Sequence, residues 1–230
     1  MADAPEAATR SVDRALTLLS IICDRGAMGL VDVSTVAGLA PSTATRLLRT
    51  LVSNGFLRRD EGGTYSPGSR MIQLGAQALS RDALVPLCRA AMEDLVKSTG
   101  ESVYLSLRAG ADTALYVAIV EGTKSVRHAN WVGRVFSLEN SAAGHVLLGR
   151  TPASGFEVVE RGVEADVTAV AAPLYSDRSV VGAISIVVPS YRVEPGDMQR
   201  FGAMLAAETT GLSAALSHSS VPRRSRRNLH

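Results

Sequence analysis

The residues best equipped for chemistry lie between Pro41 and Asn54. On a helical wheel Ala44, Leu47, Leu48 and Leu51 fall on one side and Ser42, Arg46, Arg49 and Ser53 on the other, with Thr43, Thr45 and Thr50 on the flanks. An arginine fork pairs bidentately with phosphate or guanine, and hydroxyls donate to phosphates or base edges, so such a face can sit in the major groove of DNA. A solvated amphipathic helix has the same pattern, and the neighbouring elements must decide between the two.

Those neighbours favour a DNA-reading unit. Ser11 can cap a helix whose apolar residues Val12, Ala15, Leu16, Leu19 and Ile22 repeat at helical spacing until Gly26. Leu30 to Ala37 reads as a short second helix, Gly38 and Leu39 as a tight turn, and Pro41 as the first residue of the third helix, which Gly55 stops. This is the helix-turn-helix order. Phe56–Arg59 and Thr64–Ser66, joined by Asp60, Glu61, Gly62 and Gly63, predict a hairpin wing that brings Arg58 and Arg59 to the same task. A further helix over Met71–Leu84 predicts a linker and dimer contact.

From Pro86 the pattern is mixed. It predicts a helix to Thr99, strands at Ser102–Arg108, Ala114–Val120 and Ser125–His128, and a helix at Ala142–Leu148. Strands at Thr168–Leu174 and Val180–Val188 follow, then a helix from Pro195 to Leu216. The expected class is α+β, a sheet flanked by helices. The expected domains are residues 1–69, a linker helix over 70–85, a second domain over 86–218, and a basic tail over 219–230.

Composition narrows the function classes without naming one. The formal charge of +2 is uneven: eight basic against seven acidic residues up to position 80, twelve against fifteen over 81–220, and four arginines against none in the last ten. Net charge alone therefore does not point to nucleic acid, and the arginine block reads as a disordered tail. Met1–Thr9 has no apolar leader-like stretch, and apolar runs such as Val180–Val188 are far shorter than a bilayer span, so the expectation is a cytoplasmic protein without a membrane segment. Cys23 and Cys88 have no metal spacing and read as small core residues. There is no Gly-rich phosphate loop and no G-x-S-x-G elbow, and His128, His145 and His218 are scattered; no catalytic residue, metal site or cofactor is expected. Trp131, beside Gly133, can stack on a ligand, although a lone tryptophan is more often a core residue.

Taken together, Ser11, Val12, Arg14, Ala15, Leu16 and Leu19, the Gly38–Leu39 turn, Ser42, Thr43, Arg46, Leu47, Leu48 and Leu51, then Gly55, Tyr65 and Gly68 resemble the N-terminal signature of the IclR family of transcriptional regulators. Thr99–Glu101, Gly133, Ser141–Gly144, Ala171–Pro173 and Gly182–Pro189 are similar to that family's effector domain. The resemblance implies a homodimer or homotetramer on double-stranded, palindromic operator DNA. It also implies a GAF-like effector-binding domain that holds a small organic molecule near the Ser141–Gly144 helix start, the Gly155–Glu164 segment and the two late strands. Ala142, Ala143, Glu160, Ala169, Ser185 and Val187 are the effector residues it implies. The chain departs from the family between Leu148 and Gly155, where the usual helical insert is lacking and one pocket wall is expected to be open, rebuilt or missing. Apolar Val187, Ala142 and Ala169 point to a ligand less polar than a small oxo-acid, an aromatic or organic acid. The alternatives are a dimeric DNA clamp that senses nothing and an enzyme built on the second domain.

Overall fold

The computed structural model describes residues 10–81, 84–126 and 130–219. They fall into two compact units that divide between residues 82 and 83. The arginine block of the expected tail lies outside the described residues, as does His128.

The first unit runs α1 (Arg10–Arg25), α2 (Leu30–Val36), α3 (Pro41–Ser53), β1 (Leu57–Arg59), β2 (Tyr65–Pro67) and α4 (Ser69–Arg81). Its core joins Leu18, Leu19 and Ile22 of α1, Val33 of α2, Ala44, Leu47, Leu48 and Leu51 of α3, and Leu57 and Tyr65 of the hairpin. Each such side chain contributes about 1.5–3 kcal/mol on burial, which fixes the three helices in spite of their short length. Gly38, at φ +63°, makes the turn between α2 and α3, with the Leu39 amide donating to Ser34 O at 2.9 Å. In the wing, Arg59 pairs with Tyr65, and Tyr65 also bridges to Met28 after α1. Ser11 lies inside α1 rather than ahead of it. Cys23, expected in the core, is exposed, because one 100° helical step beyond buried Ile22 carries it off the apolar stripe. Met71 of α4 packs on this core, whereas Ile72 is 76% exposed.

The second unit opens with α5 (Leu84–Thr99), so Leu84 is not the end of a continuous linker helix: it is buried in the core of this unit. Next come β3 (Ser102–Arg108), β4 (Thr113–Val120), β5 (Val135–Ser137), α6 (Ala142–Leu147), β6 (Glu157–Glu160), β7 (Val167–Ser176), β8 (Ser179–Pro189), a 3-10 turn (Ser190–Arg192) and α7 (Asp197–Ser219). The strands form one antiparallel sheet in the order β5-β4-β3-β8-β7-β6. The expected strand at Ser125–His128 is not formed at its described residues, Ser125 and Val126, which lie in a bend. The edge next to β4 is taken by β5, too short to show as an alternating run.

Both faces of this sheet are covered, which is why β8 reads as an almost unbroken apolar run. Ile184, Ile186 and Val188 join the core with α5 and α7. Ala183 and Val187 point the other way, into a second core with α6 and an aromatic group. Glu101, 2% exposed, is held by Lys124 Nζ at 2.7 Å and Arg192 Nη2 at 2.8 Å, and Arg192 Nη1 also donates to Val126 O at 2.8 Å.

Candidate nucleic-acid interface and ligand cavity

On α3 the apolar stripe turns Ala44, Leu47, Leu48 and Leu51 inward and leaves Ser42, Arg46 and Arg49 exposed and Thr43 and Thr45 half-buried. Thr45 Oγ1 donates to Pro41 O at 2.8 Å, which leaves the hydroxyl only as an acceptor. The helix starts at Pro41 without a side-chain cap. Strand alternation separates the two wing arginines. Arg59 lies over the Tyr65 ring, 5.5 Å from its centre, in a groove of about 410 Å³ shared with Thr45 and Arg49. Arg58, Ser42, Thr43 and Arg46 are not part of that groove. The first unit thus presents two cations, Arg49 and Arg59, and three hydroxyl-bearing side chains, Thr45, Ser53 and Tyr65, in a single concavity, with Arg46 one turn away on the same helix.

In the second unit the inward positions of β4, β7 and β8 meet the start of α6. Trp131, Ala142, Ala143, Ala169, Ser185 and Val187 come together there around one narrow cavity, with about 10 Å³ of free space, room for a single water molecule. Glu160 does not reach it: on edge strand β6 the alternation turns Val159 to the cavity and Glu160 out to solvent. Part of its wall is supplied by β6 and the turn after it, through Val159, Gly162 and Val163. Ser141 caps α6, donating to Ser137 O at 2.9 Å and accepting from Gly144 N at 3.0 Å. A side chain at Gly144 would collide with Leu138 O, so α6 can approach that loop only with glycine there.

Tyr116 is the functional candidate that sequence reasoning missed. Its ring lies 4.2 Å from that of Phe136, 4.9 Å from Tyr104 and 5.3 Å from Trp131, and it lines the cavity. Burial pushes its hydroxyl far up from the usual tyrosine range, so it is a neutral donor. The signal available was an aromatic at an alternate position of β4, which by itself does not say which face it takes. Also on α6, His145 contacts Glu157 of β6 at 2.9 Å through Nδ1 and Glu139 O at 2.8 Å through Nε2. Hydrogen bonding to Glu157 raises its pKa above the ordinary histidine value. Among the described residues no cluster of His, Cys, Asp and Glu could hold a metal ion, and no helix is long and apolar enough to cross a membrane.

A winged helix-turn-helix followed by an α+β unit that encloses an apolar cavity defines a two-unit chain with a candidate DNA-reading end and a candidate ligand-holding end. Comparison with known proteins agrees in both units. Residues 11–61 match the IclR helix-turn-helix domain, and residues 76–160 match the C-terminal domain of the bacterial transcriptional regulator IclR. The chain belongs to the IclR family of bacterial transcriptional regulators. It is 27% identical over 155 residues to the HTH-type transcriptional regulator KipR of Bacillus subtilis, covering 67% of this chain and 62% of that protein. It is 31% identical over 153 residues to the glycerol operon regulatory protein of Streptomyces coelicolor, covering 66% of this chain and 60% of that one. The matches thus span about three fifths of the length of these two relatives. In fold it is similar to an IclR homologue of Microbacterium hydrocarbonoxydans crystallised with 4-hydroxybenzoate, with a TM-score of 0.74, 20% identity, and 90% of this chain and 99% of that one covered.

Proposed function

We propose that this chain binds a palindromic operator as a dimer through α3 and its wing, and that a small organic molecule held in the second unit changes its affinity for DNA. The observation that carries the reading is the outward face of α3, where Arg46 and Arg49 stand exposed and neither is paired with a carboxylate among the described residues. Free guanidinium groups one helical turn apart can reach a phosphate and a guanine edge together. Ser42, Thr43 and Thr45 add hydroxyl contacts, and Arg58 and Arg59 reach the flanking backbone. One winged unit of so little net charge binds weakly; pairing two, with the exposed face of α4 as the contact, raises the effective concentration of the second. The ligand acts only by binding the DNA-competent and DNA-incompetent arrangements unequally, and a coupling of about 1–3 kcal/mol is the usual scale. The 4-hydroxybenzoate held by the Microbacterium relative supports an aromatic ligand for a cavity edged by Tyr116 and Trp131. The test is a gel-shift titration of wild type, Arg46→Ala and Arg49→Ala; equal affinities would remove α3 from the groove.

A second reading, a dimeric clamp that senses nothing, is favoured by one observation, the cavity's room for a single water. A shift in melting temperature with a small aromatic ligand separates it from the sensing regulator.

A further inference from the structure

The cavity contains no Asp, Glu, Lys, Arg or His side chain: eight of its twelve lining residues are tryptophan, valine or alanine. Arg134, which covers the ring of the cavity residue Trp131 at 4.9 Å, is bonded to Glu164 at 2.8 Å. Ser141 Oγ, a polar atom at the helix start, already has a donor and an acceptor within the protein. A carboxylate moved into such a place loses its water and finds no counter-charge, which strongly disfavours the ionised form. Two hydroxyls remain. Tyr116 and Ser185, each carrying a hydroxyl, line the same cavity and are only 3% and 2% exposed, and neither side chain has a hydrogen-bond partner among the described residues. Buried hydroxyls are normally paired, so these two define the polar contact a ligand has to make.

We infer that the ligand of this unit is an uncharged, ring-sized molecule whose hydroxyl or carbonyl oxygen pairs with Tyr116 and Ser185; this rests on the reading of the cavity as the ligand site. Because the free space is about 10 Å³, a ring enters by displacing the Trp131 side of the wall or the Gly162–Val163 turn. Trp131 is the chain's single tryptophan, so its emission reports that displacement.

The test compares 4-hydroxybenzamide with 4-hydroxybenzoate, which have nearly the same shape and differ in charge at neutral pH. Affinities for the full chain come from isothermal titration calorimetry, and Trp131 emission reports the place of binding. The amide is expected to bind roughly tenfold or more tighter than the acid, one tenfold step being a modest fraction of a buried charge's cost. Ser185→Ala and Tyr116→Phe, with melting temperatures as a check on folding, should each weaken the amide by roughly threefold to tenfold, the scale of one hydrogen bond. An acid that binds as tightly as the amide overturns the inference and leaves the cavity as the ligand site. Unchanged affinity in both hydroxyl variants overturns the assigned contact. Should neither compound bind or shift Trp131 emission, the ligand-site reading falls too.

Discussion

Arg134 Nη1 lies 2.8 Å from Glu164 Oε1, and through this pair the turn that carries Gly162 and Val163 is pinned across the outer side of the cavity. The same two turn residues line a surface groove of about 200 Å³ with Arg134, Ser137 and Asn140, so this turn is the partition between groove and cavity. Both charged side chains are well exposed, at 45% and 38%, and such a pair contributes about 0–1 kcal/mol, weak enough to open thermally. Glu164→Gln should therefore raise acrylamide quenching of Trp131, 6% exposed in the closed form, by about twofold or more through more frequent local opening. Exchanging the partners, Arg134→Glu with Glu164→Arg, should bring quenching back toward wild type. Quenching that stays at the wild-type level in Glu164→Gln would show that the pair does not hold the turn.

The His145 contacts predict a pH dependence. A neutral imidazole has one N–H and can serve only one of its two acceptors, Glu157 and the Glu139 carbonyl, whereas the imidazolium serves both. The bond to Glu157 outweighs burial and, a smaller effect, the charge of Arg150, both of which oppose the charged form, and the folded pKa is raised above 6.5. A raised folded pKa gives stability that is fully present below about pH 6.5 and is lost as pH rises through the folded value. Melting temperature should fall between about pH 6 and pH 8 in wild type and change less in His145→Gln. Parallel curves for the two proteins would assign the dependence to other groups.

Glu101 receives two cations, Lys124 and Arg192, although it is itself buried. Glu101→Gln keeps the shape and removes the charge, and should lower the stability of the second unit by about 1.5–3 kcal/mol, the scale of a charged hydrogen bond. Denaturant unfolding followed by circular dichroism measures it; a loss below about 0.5 kcal/mol, the scale of an ordinary surface change, would mean that solvent replaces both contacts.

Much of the first unit was legible from local rules alone. Gly38, Pro41 and Gly55 mark where helices stop and start, and the apolar stripe of α3 tells which side its arginines take, because helical spacing assigns faces without reference to the rest of the fold. The second unit was harder. β5 and β6 span three and four residues, too few for alternation to show, and without β6 in register nothing said that Val159 and not Glu160 turns inward. Tyr116 does not stand out in the sequence for a related reason: its place beside Trp131 depends on β4 pairing with β3 and on the loop returning through Arg134, both long-range facts. Arg58 and Arg59 looked equivalent in sequence, and only the hairpin register separates them.

If α3 reads DNA, its arginines set both the affinity and the sequence preference of the full chain. The direct measurement is selection of duplexes from a random pool by the full chain, followed by anisotropy titration of the recovered site with wild type, Arg46→Ala, Arg49→Ala and Arg89→Ala, the last on α5 in the other unit. The expected result is a recovered site with two-fold symmetry, losses of about 1–3 kcal/mol for a base-reading arginine, Arg46 or Arg49, and no change for Arg89→Ala. A pool that yields no enriched sequence, or a site bound equally by all four proteins, would contradict it.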